Sequence, residues 1–376
     1  MASFISAEEL RDRIDAGETF TIVDTRGEES FDAWHIAGAI RYTYKPHHAF
    51  DAAEFKRETG LSESDSIVTI CAKGISSVDF GRELSDAGFE DVAMVEDGMQ
   101  AWSAVYDIVD LPVGVDLVQV QRRAKGCLSY VVASEGEAAV IDPTRHTGEY
   151  TRLADERGWE ITHVFDTHVH ADHISGGRAL ADATGASYHL GANATDREVA
   201  YEYDALSRNE VVQVGEVPIK ALYTPGHTSE MVSYLIGSVG VATGDTLFVD
   251  SVGRTELQFG DGEAATGARE LYESLHRTLL AEPESVEVLP GHFALANDGT
   301  SHQTPGEPIH ESVGAVRQAL AVLGEEKDSF VAQLTESLPE KPPNYETVIG
   351  VNRGHDSVDD EQAIELELGP NRCAAE

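Results

Sequence analysis

The segment THVHADH at residues 167–173 decides the fold of the larger part of this chain. It comes just after the run 161–165, whose composition is typical of a buried β-strand. Imidazole and carboxylate groups are the usual protein ligands of zinc and iron. A lone histidine is usually a packing or surface residue, but four such groups within six positions indicate a metal site. The ligand candidates are His168, His170, Asp172 and His173.

Three further ligand candidates lie in turn-like segments later in the chain. His227 lies in TPGHT, Asp245 in TGDT and His292 in LPGH. Each follows a strand-like run and stands beside a glycine, where the backbone can bend to aim a side chain inward. Together, in this order and spacing, the four segments resemble the metallo-β-lactamase superfamily. The resemblance covers about 117–305 and implies an αββα sandwich with metal at one edge of its two sheets.

The resemblance leaves two ligand arrangements open, because the candidates satisfy both. In a dinuclear zinc hydrolase of the glyoxalase II type, the seven residues hold two metals and a bound hydroxide attacks a thioester. The two sites are then His168, His170 and His227, and Asp172, His173 and His292, with Asp245 bridging. In a persulfide dioxygenase, one Fe(II) is held by His168, His227 and Asp245. The other four residues are then outer-sphere groups.

Other segments favour the dioxygenase arrangement. SVGRTELQ at 251–258 resembles the Gly-Arg-Thr-Asp-Phe-Gln segment of persulfide dioxygenases, apart from Glu256 and Leu257. That resemblance implies that Arg254 binds the carboxylate of the substrate thiol through its planar fork. GCLSY at 126–130 and PPNY at 342–345 also resemble that family. Relatives often carry Asp-Tyr after the last histidine, where this chain has Phe-Ala, so the identity of the thiol carrier stays open.

The first part of the chain carries a second candidate site at Cys71. The cysteine follows the apolar strand 66–70 and precedes a glycine-containing loop and a predicted helix. Backbone N–H groups at a helix N-terminus, with Lys73 nearby, favour thiolate over thiol. A buried structural cysteine is the alternative.

This part of the chain resembles a rhodanese domain over nearly all of 1–105. The resemblance lies in VDTR at 23–26, FDAWHIAGA at 31–39, Cys71 and EDGMQAW at 96–102. It implies that Cys71 carries a persulfide sulfur, with Lys73 as the loop cation that binds the donor. Many active rhodaneses have an arginine near the end of the loop, where this chain has two serines. A rival interpretation is therefore a non-catalytic docking module.

The pattern of strands and helices predicts an α/β protein of two domains. We predict a rhodanese-like α/β domain over 1–108 and a linker over 109–116. A metallo-β-lactamase sandwich over 117–305 follows, and then a C-terminal helical extension with an acidic tail over 306–376.

The net charge is −40, from 67 acidic and 27 basic residues. A field this negative repels nucleic-acid phosphates and anionic membranes, so neither is expected as a partner. It also destabilises the compact state unless salt screens it, which suggests a halophilic protein. Three cysteines far apart in sequence, no signal peptide and no membrane-length apolar run predict a cytoplasmic location. A homo-oligomer stays open.

The union of the two domains favours one reaction. A rhodanese makes or consumes persulfides, and a persulfide dioxygenase oxidises them to sulfite. We therefore expect a persulfide dioxygenase coupled to a rhodanese-type sulfurtransferase, with one Fe(II) per chain and a low-molecular-weight thiol persulfide as substrate. The alternative is a Zn²⁺ thioester hydrolase with a rhodanese-like docking domain.

Overall fold

The computed structural model describes residues 3–260, 262–336, 338 and 341–374. The first domain has strands β1 (Ser3–Ile5), β2 (Thr21–Asp24), β3 (Ile40–Arg41), β4 (Ser66–Ile70) and β5 (Asp91–Val95). Its helices are α1 (Ala7–Asp15), α2 (Glu28–Ala33), α3 (Ala52–Thr59), α4 (Ile75–Asp86) and α5 (Gly98–Trp102). The strands form one parallel sheet in the order β1-β5-β4-β2-β3. Helices cover both faces, as a parallel sheet requires, so β4 is almost wholly buried.

A seven-stranded sheet begins the second domain. Its strands are β6 (Tyr106–Asp110), β7 (Asp116–Arg122), β8 (Cys127–Ser134), β9 (Glu137–Ile141), β10 (Glu160–Phe165), β11 (Ser187–Gly191) and β12 (Asp204–Leu206). Helices α6 (Gly148–Arg157) and α7 (Gly177–Thr184) cover its outer face.

A six-stranded sheet completes the sandwich. Its strands are β13 (Val211–Val214), β14 (Val217–Tyr223), β15 (Val232–Ile236), β16 (Gly240–Gly244), β17 (Glu287–Pro290) and β18 (Glu311–Ser312). The helices that follow in the chain are α8 (Glu256–Phe259), α9 (Ala264–Arg277), α10 (Val313–Ala319), α11 (Lys327–Glu336), α12 (Tyr345–Asn352) and α13 (Asp360–Leu366). Side chains of both sheets meet in one core, where the rings of Phe165 and Tyr234 lie 5.0 Å apart. With α9, α10 and α11 on the outer face, the predicted αββα sandwich is confirmed.

The segment 109–116 differs from the predicted linker. Strand β6 pairs with β7 in an antiparallel hairpin, in which Val109 lies opposite Gln119. The segment therefore belongs to the sheet of the second domain. Its proline and glycine mark the turn of this hairpin, which explains why the sequence suggested a boundary there.

The C-terminal residues also differ from the expected acidic tail. After α13, Glu367 is buried between Arg122 and Arg145, and Cys373 is fully buried. The chain therefore returns to the body of the protein. Residues 337, 339, 340, 375 and 376, which belong to the predicted extension, and residues 1, 2 and 261 lie outside the described residues. Across the part that the structure describes, no helix is long and apolar enough to cross a membrane.

Candidate active sites

The loop after β10 carries the first set of predicted ligands, and all of its residues from 167 to 173 are buried. Several side chains hold it in place, together with the Val232 N–H, which donates to the Thr167 carbonyl at 2.9 Å. The Thr167 N–H donates to Asp142 at 2.7 Å, and the Val169 N–H donates to Glu230 at 3.0 Å. The amide of Asn352, at the end of α12, donates to the carbonyls of His170 and His173. These bonds fix an irregular backbone whose polar groups would otherwise be buried without partners.

His168, His227 and Asp245 meet at one point. Asp245 Oδ2 lies 3.9 Å from His168 Nε2 and 3.5 Å from His227 Nε2. Within the described part of the chain, His168 Nε2 and Asp245 Oδ2 have no hydrogen-bond partner although both are buried. The three ligand atoms lie within 4.8 Å of one another. This donor set fits one metal ion.

Neighbouring groups determine which histidine nitrogens face the cluster. Thr167 donates its hydroxyl proton to Asp142 at 2.9 Å, so its oxygen accepts from His168 Nδ1. His227 Nδ1 donates to the carbonyl of Arg254 at 2.8 Å. Burial and the neighbouring His170 lower the pKa of His168 well below its ordinary value. The imidazole of His168 is therefore neutral, with its Nε2 lone pair directed at the carboxylate of Asp245.

Asp172, His173 and His292 form a hydrogen-bonded chain beside the first cluster. His292 donates from Nε2 to Asp172 at 2.8 Å and from Nδ1 to Asp245 at 2.7 Å. Burial alone would lower the pKa of His292, but Asp245 and Asp172 raise it well above its ordinary value. His173 Nδ1 lies 3.1 Å from Asp172. Both nitrogens of His292 therefore carry protons in this arrangement.

His170 lies beside His168, with ring centroids 4.2 Å apart, and its buried Nδ1 has no hydrogen-bond partner among the described residues. Its Nε2 lies 3.2 Å from Asp142 and 3.8 Å from Asp166. Burial would lower the pKa of His170, but these two carboxylates outweigh it and raise the pKa. The expectation that His170 is a metal ligand or an outer-sphere group stays a prediction.

The guanidinium group of Arg254 is already bonded within the protein. Its side chain is 1% exposed, bonds to Glu256 and donates to the carbonyl of Arg372 at 2.8 Å. Glu256 stands where the sequence departs from the dioxygenase segment, so this departure supplies the ion-pair partner. Substrate binding by Arg254 stays a prediction.

Sequence reasoning missed two cysteines beside the metal site. Cys127 Sγ lies 3.5 Å from Asp172, and a ligand-atom cluster unites it with Asp172, His173 and His292. Cys373 shares a cluster with Asp245 and His292. GCLSY pointed to the first through its resemblance alone. The second had no local signal, because its neighbours lie far away in the sequence.

Cys71 lies at the predicted strand-to-helix turn, almost wholly buried. Burial would raise the pKa of its thiol, but the hydroxyls of Ser76 and Ser77 and the N–H groups of Ser77 and Lys73 lower it below its ordinary value. Ser77 Oγ donates to the sulfur at 3.2 Å. The serines that replace the expected cation therefore stabilise the thiolate themselves.

The EDGMQAW segment at 96–102 packs against the backbone of the Cys71 loop. The Met99 N–H donates to the Cys71 carbonyl at 2.8 Å. A side chain at Gly98 would place its Cβ 2.1 Å from that carbonyl, and Gly98 has φ +56°, so this position requires glycine.

The ammonium group of Lys73 turns away from the predicted role beside Cys71. It bonds to Glu361 of α13 at 2.6 Å and lies 3.8 Å from Glu365. Its backbone N–H, rather than its charge, acts on the cysteine. Donor binding by Lys73 stays a prediction.

Comparison with known proteins supports both domains. The rhodanese-like domain family matches residues 6–105, and the metallo-beta-lactamase superfamily matches residues 122–292. A hydroxyacylglutathione hydrolase from Polaromonas sp. is 31% identical over 249 residues, which is 58% of this chain and 90% of that protein. The persulfide dioxygenase ETHE1 of Bos taurus is 27% identical over 158 residues, 42% of this chain and 59% of that protein.

A solved structure agrees with these matches. ETHE1 from Myxococcus xanthus superimposes with a TM-score of 0.54 and 29% identity, covering 62% of this chain and 96% of that one. A beta-lactamase hydrolase-like protein from Xylella fastidiosa is 30% identical over 195 residues. The match covers 44% of this chain and only 44% of that protein. With its buried donor set at the sandwich edge and its cysteine loop in the preceding sheet, the chain belongs to the metallo-β-lactamase superfamily and carries an N-terminal rhodanese-like domain.

Proposed function

We propose that the second domain is a persulfide dioxygenase and that the first domain delivers sulfane sulfur through Cys71. In the net reaction a thiol persulfide, O₂ and water give sulfite, the free thiol and protons. One Fe(II), held by His168, His227 and Asp245, would supply the redox chemistry that activates O₂ toward the persulfide.

The observation that carries this proposal is the open donor set of His168, His227 and Asp245, which is two imidazoles and one carboxylate with unpartnered atoms at its centre. His292 lies beside this donor set and donates to the carboxylates of Asp245 and Asp172, at 2.7 and 2.8 Å. The bond to Asp245 Oδ1 leaves Oδ2 directed at the two histidines. The geometry thus favours one site with two histidines and one carboxylate, which leaves other positions for substrate and O₂.

The surrounding residues orient this site and exclude water. Thr167 and the Arg254 carbonyl fix the two histidine rings, and His292 fixes the carboxylate of Asp245. Each of these six residues is almost wholly buried, which strengthens the hydrogen bonds among them.

In the first domain, the Cys71 thiolate attacks the outer sulfur of a donor such as thiosulfate. A new S–S bond forms on Cys71, and sulfite leaves with the electron pair of the broken bond. The lowered pKa supports this role, because the thiolate is the nucleophile.

The second candidate is the dinuclear zinc hydrolase of thioesters. It is favoured by the 31% identity to a hydroxyacylglutathione hydrolase and by the presence of all seven candidate ligand residues. In that case the residues of the second domain hold two zinc ions, and the first domain is a docking module.

Oxygen uptake separates the two candidates. Protein purified without air and loaded with Fe(II) should consume O₂ in proportion to added thiol persulfide and release sulfite. The zinc-loaded protein should not, because zinc has no redox chemistry. Rapid hydrolysis of a glutathione thioester by the zinc form, with no O₂ uptake by the iron form, would favour the hydrolase instead.

A further inference from the structure

The last described residues of the chain lie across the metal site. The Arg254 N–H donates to the Cys373 carbonyl at 3.1 Å, and Gly253 forms a β-bridge with Ala374. The Asn371 N–H donates to the Lys125 carbonyl at 2.9 Å. These bonds insert the side chain of Cys373, fully buried, beside Asp245 and His292, with the ligand atoms of all three within 4.8 Å of one another.

This segment lies where a small thiol was expected to bind. The guanidinium of Arg254, assigned to the carboxylate of that thiol, is paired with Glu256 and donates to the backbone of Arg372. The adjoining cluster of His168, His227 and Asp245 contains two buried atoms that have no hydrogen-bond partner in the described structure. They are His168 Nε2 and Asp245 Oδ2. The site therefore already contains a thiol supplied by the protein itself.

The same stretch of chain also contacts the Cys71 loop. Glu361 and Glu365 of α13 lie against Lys73, two residues from Cys71. Glu367 is then anchored by Arg122 and Arg145. The residues from Glu367 to Cys373 span about 20 Å when extended, at ~3.3–3.6 Å per residue. Release of the backbone bonds at Asn371, Cys373 and Ala374 would free an arm of this length, fixed at Glu367 next to the helix that contacts the Cys71 loop.

We propose that Cys373 is the thiol carrier, which accepts sulfane sulfur from Cys71 and presents it to the metal site as a protein-bound persulfide. The Cys373 sulfur attacks the outer sulfur of the Cys71 persulfide, and its thiol proton passes to the departing Cys71 sulfur. A new S–S bond forms on Cys373 as the S–S bond to Cys71 breaks, and Cys71 leaves as the thiol. The exchange is redox-neutral and needs no other reactant. It rests on the proposed function, in which the persulfide is afterwards oxidised by O₂.

Sulfur mapping tests the transfer without relying on activity of the iron-loaded enzyme. The full chain is incubated with thiosulfate in the absence of air, alkylated at intervals, digested and analysed by mass spectrometry. We expect a gain of about 32 Da, one sulfur atom, first on Cys71 and then on Cys373. The Cys71→Ser variant should leave Cys373 unmodified, and the Cys373→Ser variant should retain the sulfur on Cys71. Cys127, which lies in the neighbouring ligand-atom cluster, is mapped in the same digests, and we expect no added sulfur on it.

Three results would overturn the proposal. Cys71 could load while Cys373 stays unmodified, Cys373 could load equally in the Cys71→Ser variant, or neither cysteine could load. The oxygen-uptake experiment with wild-type protein and an added small persulfide is independent of this labelling. O₂ uptake there together with an unmodified Cys373 would refute the protein-bound carrier and leave the dioxygenase intact.

Discussion

At the scale of single residues, two serine hydroxyls do at Cys71 what a nearby cation was expected to do. Ser77 donates to the sulfur, and its side chain is fully buried. A hydrogen bond to a charged group contributes about 1.5–3 kcal/mol, and about 1.4 kcal/mol corresponds to one pKa unit. We therefore expect Ser77→Ala to raise the pKa of Cys71, measured as the pH dependence of its alkylation by iodoacetamide.

The control for this prediction is Ser62→Ala. Ser62 is exposed in the same domain and bonds to Asp65, so its loss should leave the alkylation midpoint of Cys71 in place. An identical midpoint in Ser77→Ala and wild type would show that the hydroxyl does not stabilise the thiolate.

At the scale of elements, Glu367 fastens the segment after α13 to the metal-site loop. It pairs with Arg122 and Arg145, and it accepts from the N–H of Ile174 at 2.7 Å. Breaking a buried ion pair leaves the other charge uncompensated, at about 3–5 kcal/mol. We expect Glu367→Gln to lower the free energy of unfolding by an amount of this order, measured by urea unfolding. The exposed Glu361→Gln should change it by less than about 1 kcal/mol.

The pH dependence of this contribution has a definite sign. Burial would raise the pKa of Glu367, but Arg122 and Arg145 lower it from 4.5 to about 2. The folded pKa lies below the unfolded one, so the stabilisation is fully present above about pH 4.5 and is lost as the pH falls toward about 2. The stability difference between wild type and Glu367→Gln should shrink over this range. A constant difference would exclude Glu367 as its source.

Sequence patterns predicted the strands and loops that carry the sites. They could not predict the ion pairs that join distant parts of the chain. Strand periodicity and the ligand segments identified the sandwich edge where His168, His227 and Asp245 meet. The Lys73–Glu361 bond joins residues 288 positions apart, and no local pattern encodes such a contact. The C-terminal residues have the composition of an acidic tail. Glu367 is buried because it pairs with Arg122, which belongs to a distant strand, so local sequence does not reveal the burial.

At the scale of the whole molecule, the net charge of −40 dominates the electrostatics. Like charges repel one another in the compact state more than in the expanded chain, and salt screens this repulsion. We expect the melting temperature to rise from low to molar KCl, measured by circular dichroism. Equal ionic strengths of NaCl provide the control for screening as opposed to specific K⁺ binding. A midpoint indifferent to salt would refute the halophilic interpretation.

Metal content tests the central claim most directly: a single metal held by His168, His227 and Asp245, with Asp172 outside its ligand set. The measurement is iron and zinc per chain in protein purified without air, as wild type and as two variants of buried carboxylates, Asp172→Ala and Asp245→Ala. We predict one iron in wild type and in Asp172→Ala, with activity in the latter reduced by the ~10–100-fold typical of an outer-sphere partner. Asp245→Ala should bind none. Two zinc ions in wild type, with one lost in Asp172→Ala, would contradict the account.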